Sequence, residues 1–456
     1  MTPRTESPYW NPRHETLPRP ELEALQVGKL QRLVAWAKAR SPFYAERLAD
    51  VEPGSIRGLA DLARIPFTTR DDWMEAQLAD PPYGKLLAVA EEGAVRYHMT
   101  SGTTGRTPIR VLDSTKDWEW IAEMWCYGFW GFGVRPRDRV FIAFGYATFI
   151  GFWGAHYACE KMGCLVLPGG AMTTEQRVRT ILDTGATVVC STPTYALRMA
   201  QEARSLGIDL AASPVERLIL SGEPAGSIPA TKALIEEQWG AKAADTAGMT
   251  ELGTIMVFEC AHQPGGTHII EDNYVEEVVD PETGEPVGYG ELGERVVTSF
   301  GRAMIPVLRY RTRDLVIRRP GPSCSCGRTW DFYEGGIRGR VDDMKLVRGT
   351  NVYPRAVEAI VRDFPEVDEF QIRLYTVDEI RDEIEVLVEL PGIDDGAPEA
   401  GALLRRLGRG LAEAHEGLRF GVRCVEHGSL PRFELKARRV VDERTVIGGH
   451  GERRNA

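Results

Sequence analysis

From Tyr97 to Pro108 the chain reads Tyr-His-Met-Thr-Ser-Gly-Thr-Thr-Gly-Arg-Thr-Pro. Thr100, Ser101, Thr103 and Thr104 put four hydroxyls into six residues, Gly102 and Gly105 complete the run, and Arg106 adds a positive charge at once. Glycine lets backbone approach a ligand closely. Hydroxyls beside backbone N–H groups donate to anionic oxygens. The chemistry this predicts is a grip on a polyphosphate. It is not a Walker A loop, because the Gly-Lys-Ser/Thr ending is absent. On composition alone a hydroxyl-rich turn between strands reads as well.

Other groups with chemistry follow. Gly145-Tyr-Ala-Thr-Phe-Ile-Gly-Phe-Trp-Gly-Ala-His156 interleaves aromatics with glycine and predicts a flat apolar pocket. His156 reads equally as a pocket residue or a satisfied helix histidine. Polar motifs stand at Ser221-Gly222-Glu223-Pro224 and over Asp245–Gly253, which holds Gly248, Thr250 and Glu251. Cys260 lies eight residues before His268, and Cys324 and Cys326 sit in a Cys-Ser-Cys-Gly turn. Three thiolates and an imidazole are a tetrahedral zinc set with no position left for substrate, so the metal would be structural. The Cys-x-Cys spacing is tighter than the common Cys-x₂-Cys. His262 is the alternative ligand, and reduced thiols without metal are the plainer reading.

These groups need elements to hold them. Apolar residues at three-to-four spacing predict a helix over 21–41, ended by Pro42. Plausible strands over 94–99 and 109–112 flank the hydroxyl-rich loop. Strands at 138–144, 164–168, 186–190 and 217–221 alternate with helices at 176–184 and 195–206. That alternation implies an α/β fold with a largely parallel sheet, whose ligands sit at the carboxyl ends of the strands. Residues 117–133 carry Trp118, Trp120, Trp125, Tyr127, Phe129 and Trp130, read mostly as core. From about 255 to 335, Gly and Pro turns predict a small antiparallel sheet or barrel. A β-α-β-β-α-β pattern follows. The expected division is 1–340 and 341–456, with the second part a compact α+β lid.

The 456 residues exceed one core. The net charge of −11 argues against a nucleic-acid partner. No apolar run is long enough to span a membrane, and the polar, proline-rich start reads as lacking a signal peptide. The expectation is a cytoplasmic protein whose eight cysteines are mostly reduced thiols.

Taken in order, the Thr-Ser-Gly-Thr-Thr-Gly loop, Ser-Gly-Glu-Pro, Ala-Gly-Met-Thr-Glu, Tyr-Arg-Thr-Arg-Asp, Gly-Arg-Val-Asp-Asp and a late lysine form a set. The set resembles the acyl-adenylate-forming superfamily of acyl-CoA synthetases, adenylation domains and luciferases. Its form is closest to the phenylacetate–CoA ligase branch, over about residues 25 to 441. The resemblance implies a large N-terminal adenylate-forming domain, of αβ-layered subdomains and a small β-rich one, and a small mobile C-terminal lid. It makes Thr100 to Arg106 the flap on the ATP phosphates, with arginine where many relatives have lysine. Glu251 becomes the Mg²⁺ ligand. Ser221, Gly222, Glu223, Pro224, Asp245 and Thr250 line the nucleotide, although small Ala247 stands where an aromatic often stacks on adenine. Asp314 would hold the ribose hydroxyls, with Arg340 beside it. Tyr146, Phe149, Phe152, Trp153, His156 and Gly248 would form the acyl pocket, shortened by Phe152 and Trp153 and so suited to a benzoate-type acid. Lys436 would be the catalytic lysine of the lid, although Leu435 replaces a common glycine. Asp342 would be the hinge, and Arg348, Gly349 and Asn351 would face the thiol. The implied reaction activates an aryl acid as acyl-AMP and transfers it to coenzyme A, or to a carrier-protein phosphopantetheine. A nucleotide sensor without catalysis and AMP transfer to a non-carboxylate acceptor are the rival readings. A homodimer is a family-level expectation only.

Overall fold

The computed structural model describes residues 7–100, 107–262, 265–377, 381–393, 397–433 and 437–444, without the side chains of Pro224 and Ala225. The chain divides into two units, Met1–Val341 and Asp342–Ala456. No helix among the described residues is long and apolar enough to cross a membrane.

In the first unit, β1 (Arg96–Met99) and β2 (Arg110–Asp113) form an antiparallel hairpin. β3 (Arg139–Ile142), β4 (Leu165–Pro168), β5 (Val188–Ser191), β6 (Arg217–Ser221) and β7 (Lys242–Gly248) pair in parallel, in the order β4-β3-β5-β6-β7. The helices Ile150–Met162, Thr174–Asp183, Pro193–Ser205 and Pro229–Trp239 make the crossovers. Side chains of a strand alternate between faces, and here both faces are covered. Val140, Ile142, Val188, Cys190 and Ile219 enter one core with the aromatic helix Thr115–Gly131. Phe141, Val189, Leu218 and Leu220 enter a second core with Tyr195 and Trp239. Burial on both sides is why these strands read as unbroken apolar runs.

The β-rich region departs from the expected separate sheet. β8 (Ile255–Glu259) runs antiparallel to β7 and continues through β9 (Thr267–Ile269). Beyond it lie β10 (Tyr274–Val279), β11 (Leu292–Ser299), β12 (Val307–Arg319) and β13 (Phe332–Tyr333), with β14 (Gly339–Arg340) on β12. All belong to one twelve-stranded sheet. The reason is β8: each of its five residues is buried, and it bonds on both edges.

The N-terminal helix Arg19–Arg40 buries Leu22, Gln26, Leu30, Leu33, Val34 and Ala37. Gln26, the polar member of this buried stripe, donates its amide to the carbonyls of Glu271 and Tyr274.

In the second unit, β15 (Lys345–Val347) and β16 (Thr350–Val352) form a hairpin. A four-stranded sheet has the order β19-β18-β17-β20. Its strands are β17 (Phe370–Val377), β18 (Arg381–Glu389), β19 (Gly421–Val425) and β20 (Val440–Asp442). Helices Pro354–Arg362 and Pro398–Ala414 bury Val357, Val361, Leu403, Leu407 and Leu411 in its core. β16 and β20 were not expected from the sequence pattern.

Candidate active site and cysteine–histidine centre

The parallel strands bring their carboxyl ends to one edge. Ser221 closes β6 and is buried, and Gly222 turns the chain at φ +98°. The Glu223 carboxylate accepts from the Thr194 N–H at 2.7 Å, which ties this loop to the start of helix Pro193–Ser205. Ser191 Oγ and Thr194 Oγ1 are buried here and have no hydrogen-bond partner among the described residues. Asp245 lies within β7, and its N–H donates to Glu259 at 2.9 Å. A Cβ on Gly226 would fall 2.8 Å from its Oδ1 and one on Gly336 3.2 Å from its Oδ2, so backbone covers this carboxylate. Gly248 is required by close approach: a Cβ there would lie 2.6 Å from the Thr254 carbonyl.

Glu251 is buried in the turn between β7 and β8. Arg302 fixes that turn, donating to the carbonyls of Thr250 (2.9 Å) and Glu251 (3.0 Å). Arg302 is itself held by both oxygens of Asp113 on β2, at 2.7 and 2.8 Å. The Tyr310 hydroxyl donates to Glu251 Oε1 at 3.4 Å, and burial pushes this phenol far above its ordinary pKa. Four residues along β12, Asp314 faces Arg340 of β14, whose guanidinium donates to Oδ1 at 3.4 Å. Arg309 and Arg313 take φ of +44° and +65° where the β11–β12 register shifts. Left-handed backbone at non-glycine residues marks local strain, and bulges re-aim side chains beside functional sites. One strand thus serves both Glu251 and the Asp314–Arg340 pair. Asp113 and Arg302 escaped sequence reasoning, and Tyr310 stood in the Tyr-Arg-Thr-Arg-Asp motif without a role of its own. Nothing local signals a pair 189 residues apart.

The hydroxyl-rich loop hangs from β1 and β2. Thr100 N–H donates to the Ile109 carbonyl and Ile109 N–H to Thr100 Oγ1, both at 3.0 Å. Ser101 to Arg106 lie outside the described residues. β1 is also bonded to the aromatic loop: Met99 N–H donates to the Thr148 carbonyl at 3.1 Å, and His98 Nδ1 lies 3.3 Å from the same oxygen. His98 is buried and stacked on Trp118, and burial lowers its pKa to about 4.

Tyr146 of the aromatic loop and Trp153 of helix Ile150–Met162 meet edge-on with ring centres 4.8 Å apart. The Tyr146 hydroxyl lies 2.9 Å from His156 Nδ1, and burial pushes its pKa up. Phe149 and Phe152 instead pack on Phe144, with centres at 5.8 and 3.9 Å. Phe152 also meets Trp125 in the core. Phe152 and Trp153, expected to close the pocket together, therefore have different neighbours, since successive helical residues point about 100° apart.

Cys260, His268, Cys324 and Cys326 converge, with all four donor atoms within 4.8 Å of one another. Cys260 and Cys324 sulfurs are 3.7 Å apart, and Cys326 Sγ is 3.3 Å from His268 Nε2. His268 Nδ1 sits 3.1 Å from the Trp330 carbonyl, which turns Nε2 toward the sulfurs. A hydrogen bond from Cys260, then His268, holds the Cys326 thiol far below its usual range. The donor set fits a tetrahedral zinc ion. His262 is exposed and outside the group. The N-terminal segment grips the loop from behind, with Tyr9 Oη donating to the Cys326 carbonyl and Arg328 bonding Glu15.

In the second unit, Arg348 (φ +50°) and Gly349 (φ +87°) form the two-residue turn between β15 and β16. Positive φ at both positions is the type I′ hairpin turn. Arg348 donates to the Arg419 carbonyl at 2.9 Å. Asn351 is exposed on β16, and Asp342 opens the unit. Lys436 lies outside the described residues.

A family model described as AMP-binding enzyme matches residues 45–304, and one described as AMP-binding enzyme C-terminal domain matches 349–444. The phenylacetate-coenzyme A ligase of Thermus thermophilus is 37% identical over 453 residues, 95% of this chain and 99% of that protein. The phenylacetate-coenzyme A ligase of Pseudomonas putida is 33% identical over 436 residues, 93% of this chain and 95% of its own. A crystal structure of 2-hydroxyisobutyryl-CoA ligase, in the postadenylation state with R3-HIB-AMP, superposes with a TM-score of 0.91 at 30% identity. It covers 97% of this chain and 94% of that one.

Proposed function

The chain belongs to the AMP-binding enzyme family, in its phenylacetate–coenzyme A ligase-like branch, and from that premise we infer that it is an AMP-forming acid–thiol ligase acting on an aryl acid. The observation that carries this reading is likeness to phenylacetate–coenzyme A ligases along nearly the whole chain. The service of Glu251 and Asp314 by one strand supports it.

In the first half-reaction an oxygen of the acid's carboxylate attacks the α-phosphorus of ATP, and the bond to pyrophosphate breaks. The loop from Thr100 to Arg106 grips the departing phosphates, and Lys436 stabilises the charge spreading over the phosphoryl oxygens. Glu251 would hold Mg²⁺, which when bound neutralises phosphate charge. Ser221, Gly222, Glu223, Pro224, Asp245 and Thr250 contact the nucleotide, and Asp314 accepts from its ribose hydroxyls with Arg340 alongside. Tyr146, Phe149, Trp153 and His156 line the acyl group, with Phe152 and Gly248 behind them. In the second half-reaction a thiol of coenzyme A attacks the acyl carbon and AMP leaves. Asp342 is the hinge between the two half-reactions, and Arg348, Gly349 and Asn351 flank the incoming thiol. Zinc held by Cys260, His268, Cys324 and Cys326 would have a structural role.

Likeness to 2-hydroxyisobutyryl-CoA ligase favours a second acid, a small branched 2-hydroxy acid. Acid-dependent ATP–pyrophosphate exchange without coenzyme A separates the two, using benzoates, phenylacetates and 2-hydroxyisobutyrate. Exchange with an aryl acid, followed by AMP release on adding free coenzyme A, is expected. Exchange confined to 2-hydroxyisobutyrate would overturn the aryl assignment. AMP release only with a carrier protein would change the acceptor.

A further inference from the structure

Beside the aromatic loop, three side chains form a proton-ordered line. Tyr146 Oη lies 2.9 Å from His156 Nδ1, and His156 Nε2 lies 3.3 Å from Glu160 Oε1. His156 and Glu160 are one turn apart on helix Ile150–Met162. Glu160 is on the surface, its side chain 54% exposed. A carboxylate has only lone pairs to offer, so Nε2 must donate to it. A neutral imidazole with its proton on Nε2 leaves a lone pair on Nδ1. With the imidazole in that neutral form, the Tyr146 O–H donates to Nδ1, and its phenol oxygen has only lone pairs left for anything else. The Trp153 indole N–H does not compete for that oxygen, because it donates to the carbonyls of Tyr146 and Ala147.

We propose that the Tyr146–His156–Glu160 relay makes Tyr146 a hydrogen-bond acceptor toward the acid, so that the preferred acid carries a donor, a hydroxyl or an amine, where it meets Tyr146. This rests on the aromatic loop being the acyl pocket. It sharpens the substrate class: an unsubstituted ring leaves the half-buried phenol oxygen without its partner, and a methoxy or halogen group offers no proton. Hydroxy- or amino-substituted aryl acids and a small 2-hydroxy acid share this chemistry. Sites built to bond a substrate hydroxyl discriminate against analogues that lack it far better than apolar pockets distinguish one methylene.

The test is kcat/KM in pyrophosphate exchange for matched acids: each hydroxybenzoate against the fluorobenzoate substituted at the same position, and 2-hydroxyisobutyrate against isobutyrate. The wild type is expected to favour the donor-bearing member of at least one pair by about tenfold, the worth of one net hydrogen bond. The pair that shows the preference identifies the source of the hydroxyl. Tyr146→Phe brings that ratio to about one. Glu160→Leu, at a surface position, removes the acceptor that fixes the imidazole proton and lowers the rate on the hydroxy acid more than on its partner. Equal rates within every wild-type pair, or a preference that survives both substitutions, would overturn the relay while leaving the ligase reading intact. Silence with every acid would overturn the ligase reading, and the relay with it.

Discussion

At the scale of single residues, two buried groups set the conditions under which the Glu251 turn and strand β1 are held. Arg302 has no exposed surface and spends its guanidinium on Asp113 and on two carbonyls of the Glu251 turn. Arg302→Met would leave the Asp113 carboxylate buried without its counter-charge, at a cost of about 3–5 kcal/mol. Urea unfolding should show that loss, and the turn's freedom should raise the Mg²⁺ concentration needed for half-maximal exchange. A stable variant with an unchanged Mg²⁺ requirement would rule out this role. His98 supplies a pH dependence. Burial holds its pKa at about 4, against about 6.5 in the unfolded chain. Between those values the unfolded state binds the extra proton, so stability falls as pH drops from about 6.5 to about 4, by up to about 3 kcal/mol. A His98→Gln variant should have a flatter profile of thermal midpoint against pH over that window. A parallel profile would show that other groups carry the acid sensitivity.

Elements explain what the sequence disclosed and what it withheld. β3, β5 and β6 were legible because each is apolar on both faces, and the N-terminal helix because its stripe keeps the helical period. Helix Arg70–Ala79 starts at Thr69, whose side chain accepts from Asp72 N–H. β16 and β20 have three residues each, too few for a period to declare itself, and only their neighbours make them strands. The merging of the β-rich region into the main sheet depends on β8 bonding both ways, which no local pattern encodes. Cysteine and histidine were different: the chemistry of ligation is restrictive enough that Cys260, just after β8, and Cys324 and Cys326 could be grouped from type, with His268 or His262 as the fourth member, and the structure brings His268 to the group. If that grouping holds zinc, purified protein should contain about one zinc per chain, and Cys324→Ser with Cys326→Ser should lose it. The centre pins Cys326 next to Tyr9 and Arg328 next to Glu15. The same variant should therefore show faster amide exchange in residues 7–17. Metal-free wild type with full protection of that segment would remove the centre's structural role.

For the molecule as a whole, the question is why a second unit of its own core follows the first. Adenylation needs a cation at a phosphoryl group, whereas thioester formation needs an open path for a thiol; one fixed surface serves both poorly. The second unit carries a candidate for each need at separate places in its sequence, Lys436 late in the chain and Arg348–Gly349, the turn between β15 and β16. The two half-reactions should then fail independently. Lys436→Ala should lower pyrophosphate exchange by about 10²–10³-fold, the loss typical of one electrostatic donor to a transition state. It should leave thioester formation from a supplied acyl-adenylate near the wild-type rate. Gly349→Val should do the reverse. A Cβ at Gly349 meets nothing within 4 Å, so the substitution acts through backbone, forcing a β-branched residue into φ +87° and distorting the turn. Exchange should persist while transfer to coenzyme A falls. Stopped-flow measurement of each half-reaction separates these outcomes. If both variants slowed the same half-reaction, the two elements would be serving one step, and a lid with alternating faces would not be needed to explain the enzyme.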